Sequence, residues 1–423
     1  MSNKKTVNWN RLDNAAKIFP PTSDKHDTKV FRFACELYEP VEPSALQAAL
    51  DKTIELFPSF QCILKGGLFW YYLENCDIRP TVKEENNSPC STIYDRNVKC
   101  LLFEVTYYRN RINFEVYHAL TDGTGALQFL RSLVFHYLID QHASDFKNQM
   151  PVFDYDASTA QKSDDSFQKY YSEKKKRAKE NHLTAYKLIG PKVSENRIKV
   201  IEGTVSVKSV LNEAHNYHAT LTVFLSAIFL CSIYQEMAEQ DKKRPVVLTV
   251  PVNLRNYFSS QTARNFFSII NISYDFSKNS DKLEDVISYL HSSFERELTT
   301  ERLRERLNKL ASLEHNIFTR AIPRAIKDIV LKIASNSADK EVTASLSNIG
   351  KVSLPEELAP YVRLFDVFVS TKKLQVCMCS YGDNLTLTFT TPLVSAEIQK
   401  HFFRTLTHMG IAVELAANKM DDE

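Results

Sequence analysis

A chain of 423 residues exceeds what one ordinary hydrophobic core organises, so two domains or subdomains of about 200 residues each are expected. Its 53 Lys plus Arg against 51 Asp plus Glu leave a net charge of +2, too little for a global field that would gather nucleic acid or an anionic membrane. Nine glycines, with no Gly-rich phosphate loop and no dinucleotide fingerprint, argue against a P-loop enzyme or a Rossmann dehydrogenase.

The first half reads as alternating strands and helices. Lys29 to Glu39 alternates apolar and polar residues like a half-buried strand, and Pro43 to Leu56 shifts to helical spacing with Leu46, Ala49, Leu50 and Ile54 on one face. Phe60 to Leu64 and Leu68 to Leu73 flank Gly66-Gly67, a hairpin signal. Leu101 to Tyr108 and Ile112 to Tyr117 surround a second turn at Arg109-Asn110-Arg111, and the later strand runs directly into His118. From Gly125 to Asp140 the period is helical again, which places His118-Ala119-Leu120-Thr121-Asp122-Gly123 on a strand-to-helix connection.

Between Ala143 and His182 the pattern dissolves into polar residues, including Ser163-Asp164-Asp165-Ser166 and Glu173-Lys174-Lys175-Lys176-Arg177. This stretch is the expected linker between halves, which divides the chain into 1–145, 146–185 and 186–423. The second half resumes with a strand at Arg197 to Val207, a helix at Ser209 to His215 and an apolar run from Ala219 to Tyr234. That run is shorter than the roughly 20 residues a membrane span needs, so a buried core helix is expected and no transmembrane segment. Val246 to Val252 and Phe266 to Phe276 read as strands, Leu283 to Leu313 and Ile322 to Ser335 as helices. Four strands follow, at Val342 to Ile349, Leu364 to Ser370, Leu374 to Tyr381 and Leu385 to Thr390, before a closing helix from Ala396 to Ala416.

The eight cysteines lie mostly in apolar runs and lack zinc-site spacing, so no metal is expected and they read as reduced thiols of a cytoplasmic protein. The opening residues have no signal-peptide core.

A histidine at the tight exit of a strand can hold one ring nitrogen in a cleft, and its pKa near 6.5 suits a base at neutral pH. An aspartate four residues on can fix the loop through a cation, and Gly123 lets backbone approach closely. The bland alternative makes His118 a satisfied core histidine and Asp122 the N-cap of the next helix.

His118-x-x-x-Asp122-Gly123 followed by a helix resembles the active-site signature of the superfamily that holds chloramphenicol acetyltransferase, alcohol acetyltransferases, plant acyl-CoA transferases and nonribosomal peptide condensation domains. The helix Thr220 to Tyr234, the strand Val246 to Val250, Pro251-Val252-Asn253-Leu254-Arg255 and the strand Asn265 to Asn271 are similar in order to the second half of condensation-type domains. The opening Trp9 to Lys17 and Ser345-Leu346-Ser347-Asn348-Ile349-Gly350 look most like bacterial alcohol-acetyltransferase-type proteins. One departure is Tyr117, where condensation domains usually have a first histidine of two. It points away from a carrier-dependent peptide synthetase.

The resemblance implies an α/β fold of two chloramphenicol-acetyltransferase-like subdomains, α+β two-layer sandwiches that form a V-shaped pseudo-dimer with a central tunnel. It implies transfer of an acetyl or other short acyl group from acyl-CoA, the co-substrate, to an alcohol or amine of a small molecule, in one direct ternary-complex step with His118 as general base. Gly123 would offer an oxyanion donor, with Ser347 and Asn348 as further candidates, and Asp122 would form a structural ion pair with Arg255, for which Arg264 competes. No permanently bound cofactor is implied, and a monomer is expected. Two alternatives remain open: a condensation-type enzyme fed by an acyl-carrier protein, and a non-catalytic binding protein on the same fold.

Overall fold

A computed structural model describes residues 9–146, 150–153, 166–171, 184–315 and 322–419; the polar runs 163–166 and 173–177 fall wholly or mainly outside the described residues. In chain order the strands are β1 (Trp9–Arg11), β2 (Val30–Leu37), β3 (Cys62–Gly66), β4 (Tyr71–Asn75), β5 (Val82–Glu84), β6 (Phe103–Tyr108) and β7 (Arg111–Tyr117), then β8 (Lys199–Ser206), β9 (Val246–Asn253), β10 (Phe267–Tyr274), β11 (Ala344–Lys351), β12 (Val362–Val369), β13 (Leu374–Tyr381), β14 (Asn384–Thr391) and β15 (Glu414–Ala417). Three sheets result, ordered β1-β4-β3, β12-β2-β7-β6-β5 and β10-β9-β11-β13-β14-β8-β15. Two hydrophobic cores accompany them, one built mainly on the five-stranded sheet and one on the seven-stranded sheet.

The apolar run expected as a core helix forms Leu221–Gln235, with Phe224 to Leu230 all buried. A helix that is apolar on every side can be stable only inside such a core. Among the described residues no single helix is long and apolar enough to cross a membrane. All eight cysteines are free thiols.

The structure departs from the sequence pattern in four places. β2 is buried along its whole length, on both faces. Its polar positions are not a solvent face: Arg32 pairs with Glu115 and Glu85, and Glu36 with Arg111 and Arg363. The helix expected over Leu283 to Leu313 is two helices, Leu283–Glu297 and Thr300–His315, because the Thr299 carbonyl starts a new turn at Leu303 and Glu297 is drawn into ion pairs with Arg302 and Arg306. The closing helix stops at His408, where Gly410 takes φ +82°, a left-handed conformation that ends helices. The chain then turns extended, and Glu414–Ala417 pairs with β8.

The fourth departure concerns the division of the chain. β12 comes from the second half yet pairs antiparallel with β2, from Val362↔Leu37 to Val369↔Phe31. The expected continuous unit 186–423 therefore lends one strand to the sheet of the first half, and β12 also packs on β13 and β14 of its own half. Strand periodicity marks Leu364 to Ser370 as extended but carries no information about which sheet it joins.

One feature of the seven-stranded sheet opens the site. β9 and β11 run parallel and pair only at Leu248↔Ala344 and Thr249↔Ser345. Beyond that point Pro251 has no N–H to continue the ladder, and β11 carries a bulge between Asn348 and Gly350. The strand ends part, leaving residues 251–253 and 347–349 on either side of a gap that faces β2 and β12.

Candidate active site

The gap is the mouth of a cavity of about 150 Å³. His118, Asp122, Gly123, Arg255, Ser347 and Asn348, all singled out in the sequence, border it. The rest of its wall is largely apolar, with Phe31, Phe33, Phe267, Ile349, Val367 and Phe368 contributed by both halves.

His118 is placed by the end of a ladder. β7 pairs with β2 up to Val30↔Tyr117, and the His118 N–H then donates to the Lys29 carbonyl at 2.8 Å. A tight turn closed by Leu120 N–H on Tyr117 O follows, with Ala119, Leu120 and Thr121 buried. The imidazole lies between aromatic rings: Phe19 stacks on it at 4.4 Å between centroids and 20°, and Phe31 meets it at 4.8 Å. Its Nδ1 is 3.1 Å from Asn265 Oδ1. Burial pushes the His118 pKa down, because the charged ring is poorly solvated there. Hydrogen bonds to its own backbone carbonyl and to Asn265, with the Asp122 charge, oppose that shift without cancelling it.

Asp122 does two jobs at once. Its Oδ1 caps the helix Gly123–Gln141 by accepting from the Thr124 and Gly125 N–H groups at 3.1 Å. Its Oδ2 accepts from Arg255 Nη1 and from the Phe266 N–H, both at 2.8 Å. No hydrogen bond joins it to His118 among the described residues. Arg264, the competing cation, goes instead to Asp13, with Nε 3.8 Å from Oδ2. Arg255 also donates to the carbonyls of Thr262 and Arg264 at 2.9 and 2.6 Å, so one guanidinium gathers the loop 262–266 and the His118 turn together.

Gly123 opens the helix, and its N–H has no acceptor among the described residues. A Cβ there would come within 3.0 Å of Ile349 Cδ1. Gly125 is tighter: a Cβ would sit 2.1 Å from the Ala263 carbonyl oxygen and 2.2 Å from Thr121 Oγ1, so no side chain fits. Ser347 lies half-buried in the cavity wall. Asn348 is exposed, and its amide is spent on Thr222 Oγ1 at 2.9 Å and the Gly350 N–H at 2.8 Å. The Ser347 hydroxyl, by contrast, has no hydrogen-bond partner among the described residues.

Three residues that matter here carry no sequence signal of their own. Asn265 and Phe19 reach His118 from distant positions in the chain, and Asp13, 2 % exposed like Asn265, reaches Asn265. Single Asn, Asp and Phe residues occur everywhere, and only the fold brings them to the histidine.

The alcohol acetyltransferase family matches residues 165–380, just over half of the chain; the segment 118–123 precedes the matched span. No curated protein matches. Among solved structures, the trichothecene 15-O-acetyltransferase TRI3 from Fusarium sporotrichioides superposes with a TM-score of 0.62 at 10% identity, over 97% of this chain and 96% of that one. TRI101 from F. graminearum, complexed with coenzyme A and T-2 mycotoxin, gives 0.61 at 14% identity over 96% and 99%. The first condensation domain of the calcium-dependent antibiotic synthetase gives 0.57 or 0.58 at 12% identity over 96% and 97%. These likenesses establish a shared two-subdomain fold. The chain belongs to the alcohol acetyltransferase family and is an acyltransferase.

Proposed function

We propose that the protein transfers a short acyl group, acetyl first among them, from acyl-CoA to the hydroxyl of a small neutral alcohol, with His118 as general base. The observation that carries this reading is a half-buried imidazole, aligned by hydrogen bonds on its Nδ1 side, in the wall of an apolar cavity at the seam between subdomains. Its lowered pKa keeps the ring neutral, and therefore able to accept a proton, at ordinary pH.

The acceptor hydroxyl gives its proton to His118 as its oxygen attacks the thioester carbonyl. The C–O bond forms, the tetrahedral intermediate collapses, and the thiolate leaves with the proton returned by the imidazolium. The Gly123 N–H and the Ser347 hydroxyl are the donors available for the oxyanion. Two observations support the choice of substrates. The ionised groups bordering the cavity, Asp122 and Arg255, neutralise each other, which leaves no unpaired charge among the described lining residues to hold an ammonium or a carboxylate. Structures of similar fold hold coenzyme A or ethyl coenzyme A.

Thiol release from acetyl-CoA, followed colorimetrically across a panel of alcohols and amines, tests the reading. Wild type should turn over with alcohols, and His118→Ala should lose roughly 10²-fold or more in kcat. Equal turnover by the variant would remove His118 from the chemistry. Turnover only with an acylated carrier protein would replace the donor.

A further inference from the structure

Asn265 contacts the catalytic turn at two points and an anchor at a third. Its Oδ1 is 3.1 Å from His118 Nδ1, while its Nδ2 lies 3.1 Å from the His118 carbonyl and 3.3 Å from Asp13 Oδ2. The second and third partners are acceptors only, so the amide nitrogen must face them, and this orientation leaves the amide oxygen facing the ring. An amide oxygen cannot donate. His118 Nδ1 must therefore carry the proton, and Nε2 keeps the lone pair that general-base catalysis requires.

Asp13 is in turn held in place. Its Oδ1 accepts from the Ala16 N–H at 2.7 Å and its Oδ2 lies 3.8 Å from Arg264 Nε. Three residues beyond Ala16, Phe19 stacks on the imidazole. The segment from Asp13 to Phe19 thus reaches His118 from both directions, through Asn265 at the edge of the ring and through Phe19 at its face.

We propose that Asn265, oriented by Asp13, is the positioning residue that fixes the Nδ1–H tautomer of His118, so that the N-terminal segment completes the site. This rests on the general-base reading but is measured independently of activity. Among the described residues the His118 carbonyl competes as acceptor for the Nδ1 proton, since the ring also hydrogen-bonds its own backbone. A free imidazole favours the opposite tautomer, so removing Asn265 shifts the balance toward Nε2–H if the carbonyl alone is too weak.

The test is ¹⁵N NMR of histidine-labelled protein, with the His118 signals identified by their loss in His118→Ala. Wild type should show a protonated Nδ1 and a bare Nε2, Asn265→Ala should move toward the other tautomer, and kcat should fall on the order of tenfold or more at unchanged KM. Asn265→Asp covers the case in which alanine disturbs folding: facing the Asp13 carboxylate and the His118 carbonyl, the new carboxyl keeps its proton in place of the Nδ2 donor, and its other oxygen still accepts from Nδ1–H, so the wild-type tautomer should persist. An unchanged tautomer in Asn265→Ala assigns the fixation to the backbone carbonyl and overturns the proposal, as does loss of the tautomer in Asn265→Asp. If the tautomer responds as expected but His118→Ala remains active, the general-base reading fails and the positioning result stands.

Discussion

Removing Arg255 should show that Asp122 braces the fold and is not a relay partner of His118. The two side chains are 9% and 6% exposed, and Asp122 is ringed by donors, two guanidinium N–H groups and three backbone N–H groups. In Arg255→Met the carboxylate keeps its backbone donors but loses its countercharge, and the carbonyls of Thr262 and Arg264 lose theirs. Breaking one side of a buried pair costs about 3–5 kcal/mol. At about 2 °C per kcal/mol for a large domain, the melting temperature should fall by roughly 6–10 °C. Asp122→Asn should cost a similar amount: the amide oxygen still caps the helix, but its nitrogen meets the donors of Arg255 and Phe266 and the guanidinium loses its countercharge. The double variant should then be more stable than the sum of the singles requires, with a coupling of roughly 1–3 kcal/mol. Thermal unfolding and urea titration of the four proteins give the cycle, and thiol release per folded molecule gives activity. A relay aspartate behaves differently: its amide variant would lose about 10⁴-fold in kcat with melting unchanged. Wild-type melting of Arg255→Met, or a relay pattern in Asp122→Asn, would refute the argument.

Three further outcomes are expected. Because burial lowers the His118 pKa, the acid limb of kcat/KM should lie below the ordinary histidine value near 6.5. The same shift means that the unfolded chain takes up a proton that the folded one refuses, so this residue's contribution to stability should fall as pH drops below about 6.5, and His118→Gln should flatten that dependence in pH-resolved melting. Gly125→Ala should destabilise by about 1–3 kcal/mol or more through its collision with the Ala263 carbonyl, whereas Gly123→Ala should fold nearly normally and lose turnover, as measured by melting and thiol release. Burial and the Glu202 charge raise the Asp366 pKa, so the folded chain keeps a proton there that the unfolded chain gives up, and stability falls as pH rises out of the ordinary carboxylate range. Asp366→Asn should therefore gain melting temperature over wild type as pH is raised from about 5 to about 9, and a constant difference would contradict this.

What the sequence made legible was local. The strand ending at Tyr117, the turn at His118 and the helix from Gly123 each follow from period and composition, and the N-cap and ion-pair readings of Asp122 turn out to be compatible, since a carboxylate has two oxygens. What stayed hidden was non-local. Asn265 lies 147 residues from His118 and 252 from Asp13, and nothing in the neighbourhood of an asparagine reveals such partners. Arg32 and Glu36 misled for a related reason. Charged residues at alternate positions ordinarily mean a wet face, but here each meets an opposite charge brought in by β7, by the segment after β5 or by β12.

The same buried charges explain how a gap can persist between two apolar layers. An apolar seam could slide or close, since dispersion and burial set no register. At this seam Arg111 of β7 holds Glu36 through Nε and Glu202 of β8 through both terminal nitrogens, at 2.6 to 2.8 Å. Arg363, on the crossing strand β12, joins Glu36 to Glu414 of β15. Such contacts are directional and costly to leave half-made, so they permit one relative placement of the sheets. Three buried acids, Glu36, Glu202 and Asp366, lie close to these arginines, and burial first, with the neighbouring Glu202 charge, raises the pKa of Asp366. The polar seam thus carries the alignment of the halves, which leaves the cavity wall free to be apolar.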